Sequence, residues 1–233
     1  MKIWDVAKDL VFPQGLYCNC CGKYIDDKRS YGLCDYCIRH MDFETTEICF
    51  SDGCEHRGMA AMKYGFYEKR LIFSLKYNGK TYIAPILAQI MYDAMLKELA
   101  VKRNSEFLKA DLIVPVPISS ERLKERGFNQ MDRVGRHLAR LSGIPMENRL
   151  LKRVRETKAQ RALSPTERKN NMQGAFDVNS VMAEKLEGKR ILLIDDIYTT
   201  GATAVECCNA LKRAGIENIC FLAVMAANKK QVK

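Results

Sequence analysis

The sequence has no apolar run close to the roughly 18 residues that a membrane-spanning helix needs. Its first fifteen residues mix Lys2, Asp5 and Lys8 with apolar side chains. They therefore lack the uninterrupted apolar stretch and the small-residue cleavage site of a secretory signal peptide. Internal repeats and low-complexity segments are also absent. These absences predict a cytoplasmic protein without membrane insertion.

A complete P-loop is missing as well, which affects how the run Ile191 to Asp196 is interpreted. Four apolar residues followed by two acids also describe the Walker B strand of a P-loop ATPase. Such an enzyme needs the pattern G-x-x-x-x-G-K-[ST] elsewhere in the chain. The nearest stretch runs from Ser74 to Thr81 and has Ser74 where the first glycine belongs. An ATPase is therefore the weaker alternative for this strand.

Cysteine is plentiful, with ten residues in a chain of 233. In a reducing compartment, clustered cysteines indicate a metal site or catalysis more often than disulfides. Cys18 and Cys21 form one C-x-x-C pair, and Cys34 and Cys37 form a second. Two such pairs can place four thiolates tetrahedrally around Zn²⁺. We predict a structural zinc site, with free thiols or a disulfide as the alternative.

The remaining cysteines have less certain roles in the sequence. Whether Cys20, Cys49, Cys54 or His56 joins a metal site stays open at this stage. Cys207, Cys208 and Cys220 lie on predicted core elements and are interpreted as packing residues. Together with the change of pattern near residue 58, the cysteines predict two domains: a zinc-knuckle head over 1–58 and a larger domain over 59–233.

The larger domain alternates predicted helices and strands. Strands are predicted at Leu112–Val116, Ile191–Ile194 and Ile219–Val224, where short apolar runs occur. Helices are predicted over Ile72–Tyr77, Ile83–Leu99, the segment holding Met131, Val134, Leu138 and Leu141, and Ala202–Ala214. This alternation predicts an α/β fold with a mainly parallel sheet flanked by helices. Ligands of such folds bind beyond the carboxyl ends of the strands.

One such strand end carries the most informative pattern in the chain. Asp195 and Asp196 follow the apolar run, and Thr199, Thr200 and Gly201 then lead into a helix. Hydroxyl and backbone N–H groups at a helix start can bind a phosphate. Carboxylates beside that phosphate can accept hydrogen bonds from the hydroxyls of a ribose. The pattern therefore predicts a site for a ribose phosphate.

Positive charge is unevenly distributed along the chain. The whole sequence carries a formal charge of +10, and the segment from Glu121 to Asn170 holds fourteen Lys/Arg against six Asp/Glu, a net charge of +8. Such a segment favours an anionic partner, either a polyphosphate or a nucleic acid. Its only aromatic residue is Phe128. Any nucleic acid bound there is therefore expected to be held by phosphate contacts more than by base stacking.

The run from Ile191 to Thr203 resembles the PRPP (5-phosphoribosyl-1-pyrophosphate) motif of type I phosphoribosyltransferases. With Val114 to Pro117, Arg122 to Gln130 and the polar segment Arg155 to Asn170, it resembles the ComF family of competence-associated proteins. The resemblance implies a type I phosphoribosyltransferase fold with an N-terminal zinc-binding head. It also implies PRPP binding with Mg²⁺ and a link to DNA uptake.

The same resemblance assigns expected roles to individual residues. Asp195 and Asp196 are the expected catalytic pair, which holds the ribose hydroxyls and stabilises positive charge at C1. The expected 5-phosphate site is Tyr198, Thr199, Thr200, Gly201, Ala202 and Thr203. The expected pyrophosphate site is Arg122, Lys124 and Arg126. The expected hood loop holds Arg155, Thr157, Gln160 and Arg168. Lys76 matches a family position whose role cannot be worked out from the sequence.

Two functions follow from the resemblance. The first is a phosphoribosyltransferase that acts on PRPP and an acceptor the sequence does not identify. The second is a non-catalytic module that binds single-stranded DNA under control of PRPP, together with other DNA-uptake proteins. No general base for an acceptor stands out in the sequence, and fold alone does not decide whether PRPP is turned over.

Overall fold

A computed structural model describes residues 16–26, 29–50, 57–77, 79–103, 105–155 and 172–227. Its strands are β1 (Thr46–Ile48), β2 (Arg57–Lys63), β3 (Leu112–Pro115), β4 (Leu151–Arg153), β5 (Phe176–Val178), β6 (Ile191–Tyr198) and β7 (Ile219–Ala226). Its α-helices are α1 (Asp35–Arg39), α2 (Phe66–Tyr77), α3 (Ile83–Lys102), α4 (Ser120–Arg126), α5 (Gln130–Ser142), α6 (Ser180–Ala183) and α7 (Ala202–Arg213). Short 3₁₀ turns cover Ser30–Gly32 and Glu184–Leu186.

The main sheet has five strands in the order β1-β2-β7-β6-β3. All neighbouring pairs are parallel except β1 and β2, which are antiparallel. Strands β4 and β5 form a separate antiparallel pair. The predicted α/β class with a mainly parallel sheet is therefore confirmed.

Both faces of the sheet are covered, as a mainly parallel sheet requires. Alternate residues of a strand point to opposite faces. Leu192 and Ile194 of β6 accordingly belong to the apolar cluster that contains α3 and α5, whereas Ile191 and Leu193 belong to the cluster that contains α7. All four side chains are fully buried. This two-sided burial fixes the register of β6 and so the position of the acids that follow.

The observed β6 is longer than the predicted strand. We predicted Ile191–Ile194, but β6 continues through both acids to Tyr198 and pairs with β7 over its whole length. On the opposite side, β3 ends at Pro115, which pairs with Ile194. The acids therefore lie inside the strand, but at the point where one of its two neighbours has ended. Pairing with the long β7 explains the extension, which the acidic residues themselves did not suggest.

The other predicted elements are found with shifts of one to three residues at their ends, except α2, which begins at Phe66, six residues before the predicted start at Ile72. Helix α5 ends at Ser142 and is capped by Gly143 in a left-handed conformation, which favours glycine. Cys207 and Cys208 are buried in the cluster around α7, and Cys220 is buried in the other cluster, which agrees with their predicted packing role.

The cysteine-rich segment packs directly on the helices of the larger domain. Cys18, Ile25 and Leu33 are buried in the same apolar cluster as Leu71 of α2 and Met91 of α3. In addition, Tyr31 donates a hydrogen bond to Asp93 of α3 at 2.7 Å. Strand β1, which precedes residue 58, forms an edge of the main sheet. The domain boundary at residue 58 stays a prediction. Among the described residues, every helix is too short or too polar to cross a bilayer.

Candidate functional site

Two carboxylates and a lysine lie together at the carboxyl end of the sheet. Asp195 and Asp196 occupy the part of β6 that extends past β3. The side chain of Asp196 forms an ion pair with Lys76, which comes from the last turn of α2. Both side chains of this pair are largely shielded from solvent, with 13% and 20% of their surface exposed. This contact gives Lys76 the role that the sequence could not supply: it neutralises one of the two acids.

Within the described part of the chain, Asp195 forms no ion pair of this kind. Desolvation by the surrounding protein, followed by the negative charge of Asp196, raises the pKa of Asp195 to about 7. The backbone N–H of Asp196, which donates to Asp195 at 2.8 Å, opposes this shift in part. The two neighbouring acids thus have different environments, one paired with a cation and one near its titration point at neutral pH. Groups with perturbed pKa values of this kind concentrate at functional sites.

A tight turn joins β6 to α7 and forms a small concave surface beside the acids. Gly201 precedes the helix with φ of +80°, a conformation that strongly favours glycine. A Cβ at this position would also lie 2.5 Å from the hydroxyl oxygen of Tyr198. A cavity of about 30 Å³ lies here, lined by Asp195, Ile197 and residues 198–204. The predicted 5-phosphate residues Tyr198 to Thr203 therefore share one small depression with Asp195.

Within this group, Tyr198 differs from the residues that follow it. It is the last residue of β6, and its ring packs against Phe50 and Phe221 at centroid distances of 6.3 and 5.8 Å. Its side chain thus packs the turn against these two aromatic residues of the core. The backbone N–H groups and hydroxyls around Thr199 and Thr200 are the groups suited to an anion, because they lie in the turn at the start of a twelve-residue helix.

The predicted pyrophosphate residues lie on α4 and connect to the acids through α2. Arg126 donates hydrogen bonds to the Tyr77 hydroxyl and to Gln130, both at 3.1 Å, and its guanidinium lies 5.0 Å from the centroid of the Tyr77 ring. Tyr77 directly follows Lys76, the partner of Asp196. The end of α2 therefore joins the basic helix to the acidic strand end. The Nε atom of Arg126 is buried and has no hydrogen-bond partner within the described ranges.

The other basic residues predicted for the site do not all lie on the same face as Arg126. Arg122 lies one helical turn before Arg126 and shares its face of α4, whereas Lys124 is exposed and lies on another face. Ser119 caps this helix by accepting a hydrogen bond from the backbone N–H of Arg122. Of the predicted hood residues, Arg155 follows β4 and donates to the carbonyl of Gln173. Thr157, Gln160 and Arg168 lie outside the described residues.

The raised pKa of Asp195 leads to a prediction about stability. Between pH 4 and pH 7 the folded protein keeps a proton on Asp195 that the unfolded chain has released, so ionisation of Asp195 progressively destabilises the fold as pH rises through this range. Asp195→Asn removes this cost, which is on the order of 1 to 3 kcal/mol. We expect the variant to melt at a higher temperature than the unmodified protein at pH 8, with the difference vanishing near pH 4.

A second acid, Asp111, provides a control, because its ionisation stabilises the fold where that of Asp195 destabilises it. The backbone N–H of Arg190 and the side chain of Lys189 hydrogen-bond to Asp111 and lower its pKa. Its charge therefore stabilises the fold at neutral pH, and that contribution is lost as pH falls. Asp111→Asn should lower the melting temperature at pH 8 and at pH 4 alike, and should have less effect only as pH falls below the ordinary carboxyl pKa of 3.8. If Asp195→Asn behaves in the same way as Asp111→Asn, the inferred state of Asp195 is wrong.

Four cysteines of the N-terminal segment form a compact cluster. The sulfur atoms of Cys18, Cys21, Cys34 and Cys37 all lie within 4.8 Å of one another. Backbone N–H groups point at two of them, from Cys34 to Cys18 at 3.3 Å and from Cys37 to Cys34 at 3.5 Å. Gly22 adopts the positive φ of +79° that the first turn of the cluster requires. Four sulfurs at these separations can hold a metal ion such as Zn²⁺.

Of the four remaining candidate ligands, two can be placed relative to this cluster and two lie beyond the described ranges. Cys20 is buried, stands outside the four-sulfur group and directs its thiol to the carbonyl of Tyr67 at 3.6 Å. Burial raises the pKa of this thiol to about 11. Cys49 is exposed and also stands outside the cluster. Cys54 and His56 lie outside the described residues.

Comparison with known proteins agrees with this fold. The model of the phosphoribosyl transferase domain family matches residues 89–233, which include β3, α4, β6, the turn at Gly201 and α7. This match covers more than half of the chain. The chain therefore belongs to the phosphoribosyl transferase domain family.

Curated relatives narrow the assignment. The chain is 34% identical over 149 residues to Competence protein F of Haemophilus influenzae, and 34% identical over 150 residues to DNA utilization protein YhgH of Salmonella typhimurium. Each match covers 64% of this chain and 63% of the relative, which is less than two thirds of the relative's length. Competence protein ComFC of Bacillus subtilis is 40% identical over 95 residues, 40% of this chain and 34% of that protein. Within the phosphoribosyl transferase group, the chain is thus a ComF-family protein.

Proposed function

We propose that this protein binds PRPP through the carboxyl end of β6 and the turn that follows it. The observation that carries the proposal is that Asp195 shares one small depression with the glycine-containing turn at the start of α7, while Asp196 is the next residue of the same strand. Asp195 and Asp196 accept hydrogen bonds from the ribose hydroxyls. The turn from Thr199 to Thr203 receives the 5-phosphate on its N–H and hydroxyl groups. The ribose therefore lies between an acidic strand end and a phosphate-binding turn.

The pyrophosphate of PRPP extends towards the basic helix α4. Arg122 and Arg126 share one face of that helix, and Tyr77 holds the guanidinium of Arg126 in place. Cations at this position stabilise a leaving pyrophosphate as negative charge develops on it. Mg²⁺ supplies further neutralisation of the pyrophosphate oxygens when it accompanies PRPP. The carboxylates of Asp195 and Asp196 lie on the ribose side and stabilise positive charge at C1.

A thermal-shift experiment tests which parts of PRPP the site recognises. A ligand that binds only the folded state raises its stability by an amount set by the ratio of ligand concentration to Kd. PRPP with Mg²⁺ should raise the melting temperature more than ribose 5-phosphate or pyrophosphate at the same concentration, because only PRPP spans both halves of the site. If pyrophosphate alone raised the melting temperature as much as PRPP does, the site would bind anions without recognising the ribose. Release of pyrophosphate with candidate acceptors then distinguishes an enzyme from a binding protein.

The cysteine cluster supports a structural metal. We infer that Zn²⁺ is bound by Cys18, Cys21, Cys34 and Cys37, because four thiolates within 4.8 Å repel one another strongly unless a cation lies between them. Burial and the neighbouring thiols raise the pKa of Cys37 in the absence of a metal. A divalent cation such as Zn²⁺ stabilises the thiolates and so offsets the effect of burial and of the neighbouring thiols on Cys37. The metal then fixes the cluster that packs on α2 and α3.

A second function is favoured by the names of two relatives, which refer to DNA utilization and to competence. We propose that this protein also contacts single-stranded DNA, as part of a DNA-uptake system with other proteins. The formal charge of +10 supports an anionic macromolecular partner. PRPP then acts either as a substrate or as a regulator of this contact.

Salt dependence measures the electrostatic part of that contact. Each phosphate neutralised by Lys or Arg should lower log K by about 0.7 for each tenfold increase in salt. We expect affinity for a labelled oligonucleotide, followed by fluorescence anisotropy, to fall several-fold between low and physiological salt. Arg122→Ala should reduce the slope of log K against log salt by about 0.7, the value for one phosphate contact. Affinity that does not change with salt would rule out binding through the basic residues.

A further inference from the structure

Four aromatic rings from two helices form one continuous surface where the cysteine-rich segment contacts α2. Tyr36 and His40 come from α1 and the residue that caps it, and Phe66 and Tyr67 come from the first turn of α2. The rings of Tyr36 and His40 are stacked at a centroid distance of 4.0 Å. Tyr67 contacts Tyr36 at 6.0 Å and Phe66 at 5.3 Å. We refer to these four residues as the ring cluster.

Most of the ring cluster faces solvent. Phe66 is 64% exposed and Tyr36 is 56% exposed, and His40 is exposed as well. Tyr67 is partly buried and packs against the main apolar cluster, so it anchors the other rings. Single exposed apolar residues are ordinary, but contiguous exposed rings mark interaction surfaces. The exposed rings are not needed for the core, because the buried side chains of the two helices already fill it.

Within the described residues, the cations beside the ring cluster form no ion pair, whereas the exposed acids of the neighbouring segment are paired with other cations. Arg29 pairs with Asp26 and Asp35, and Lys63 pairs with Asp42 and Glu44. The remaining nearby acid, Glu68, is buried and accepts a hydrogen bond from the backbone N–H of Asp42. By contrast, Arg39, Lys69 and Arg70 form no ion pair with any residue in the described part of the chain. The guanidinium of Arg70 lies 5.9 Å from the centroid of the Phe66 ring. Exposed rings with unpaired cations beside them are suited to a ligand that is both aromatic and anionic.

We propose that the ring cluster stacks the bases of single-stranded nucleic acid while Arg39, Lys69 and Arg70 contact its phosphates. The inference rests on the second proposed function, contact with DNA, and assigns a surface to it. A single strand offers alternating aromatic and anionic groups, which match the alternation of rings and cations on this surface. Tyrosine hydroxyls and a histidine make the surface too polar for a purely apolar partner. Stacking on rings also tolerates any base sequence, because every base has an aromatic face.

The ring cluster lies away from the proposed PRPP site. Helix α2 spans twelve residues, with Phe66 and Tyr67 in its first turn and Lys76 and Tyr77 in its last. At 1.5 Å per residue, its two ends are about 18 Å apart. PRPP and a single strand can therefore bind at the same time, with α2 linking the two sites.

A comparison of two probes tests the role of the rings. The first probe is a fluorescently labelled oligothymidylate, and the second is an abasic deoxyribose-phosphate strand of the same length and charge. Loss of base stacking costs a factor of about 10 to 100 for each base. We expect the full chain to bind oligothymidylate more tightly than the abasic strand. The double variant Tyr36→Leu/Phe66→Leu should lose about 10- to 100-fold in affinity for oligothymidylate and little for the abasic strand.

Tyr82→Leu provides a matched control, because Tyr82 is an exposed tyrosine at the start of α3 outside the ring cluster. Its binding should equal that of the unmodified chain. The metal content and melting temperature of the double variant show whether its fold is intact, and Phe66→Leu alone gives a second test at a position away from the cysteines. Saturating PRPP with Mg²⁺ should leave oligothymidylate bound.

The outcomes separate this inference from the function it rests on. If the unmodified chain binds neither probe, both the DNA function and the ring-cluster surface are wrong. If it binds both probes equally and the leucine variants bind as the unmodified chain does, DNA contact stands but the rings do not provide it. If PRPP displaces oligothymidylate from the unmodified chain and from the ring variants alike, the strand lies on the PRPP site instead.

Discussion

Replacing Asp195 and Asp196 together by alanine is expected to lower PRPP affinity by a factor of about 100 or more. A hydrogen bond to a charged group contributes about 1.5 to 3 kcal/mol, and the ribose offers two hydroxyls to this pair. The substitution also leaves Lys76 without its carboxylate partner. Calorimetric titration of PRPP with Mg²⁺ into the double variant measures the loss.

The fold should survive this change. The two acids lie past the end of β3, and β6 remains paired with β7 through backbone groups that alanine retains. Removal of the Asp195 charge also relieves a destabilising contact at neutral pH. Asp177→Ala, at an exposed acid of β5, is the matched control and should bind PRPP as the unmodified protein does. Unchanged affinity in the double variant would remove the assignment of the ribose site.

The second large effect concerns the metal. Protein purified without added zinc should contain about one equivalent of Zn²⁺ per chain. Cys37→Ser should remove it, because Cys37 is fully buried and supplies one of four ligands. Structural zinc stabilises small domains by up to about 10 kcal/mol or more, so the variant should lose much of the structure of the N-terminal segment. Metal analysis and protease sensitivity of that segment are the measurements.

Cys49→Ser serves as the control for the zinc experiment, because Cys49 is exposed and lies outside the four-sulfur cluster. Its zinc content should match that of the unmodified chain. A metal-free protein in which all ten thiols react freely with a thiol reagent would contradict the zinc assignment. The docking of this segment on α2 and α3 would then rest on apolar packing and the hydrogen bond from Tyr31 to Asp93.

Most of the long elements of the fold were predictable because each leaves a local pattern, but the seven-residue strand β2 was missed. Helix α5 shows helical spacing of its apolar residues and a glycine at its end, and β7 is a continuous apolar run. Strands β1, β4 and β5 are three residues long and carry too little pattern to detect. The extension of β6 to Tyr198 depends on pairing with β7, which no local pattern shows.

The residues of the candidate site also divide into those that a local pattern predicts and those that only the fold brings together. The acids and the turn at Gly201 are adjacent in sequence, so their spacing was sufficient to predict one site. Lys76 is far from Asp196 along the chain, and only the position of α2 brings the two together. The ring cluster was missed for the same reason, because Tyr36 and Phe66 belong to segments that the sequence treats separately. A count of aromatic residues within the basic segment could not reveal it.

Calorimetric titration of the full, zinc-loaded chain with PRPP, with and without Mg²⁺, tests the central claim most directly. The proposed site predicts saturable binding with one PRPP per chain, stronger with Mg²⁺ because the metal neutralises the pyrophosphate. Ribose 5-phosphate should compete, since it occupies the same acids and turn. Absence of binding heat at millimolar PRPP, at two temperatures and with Mg²⁺ present, would contradict the account.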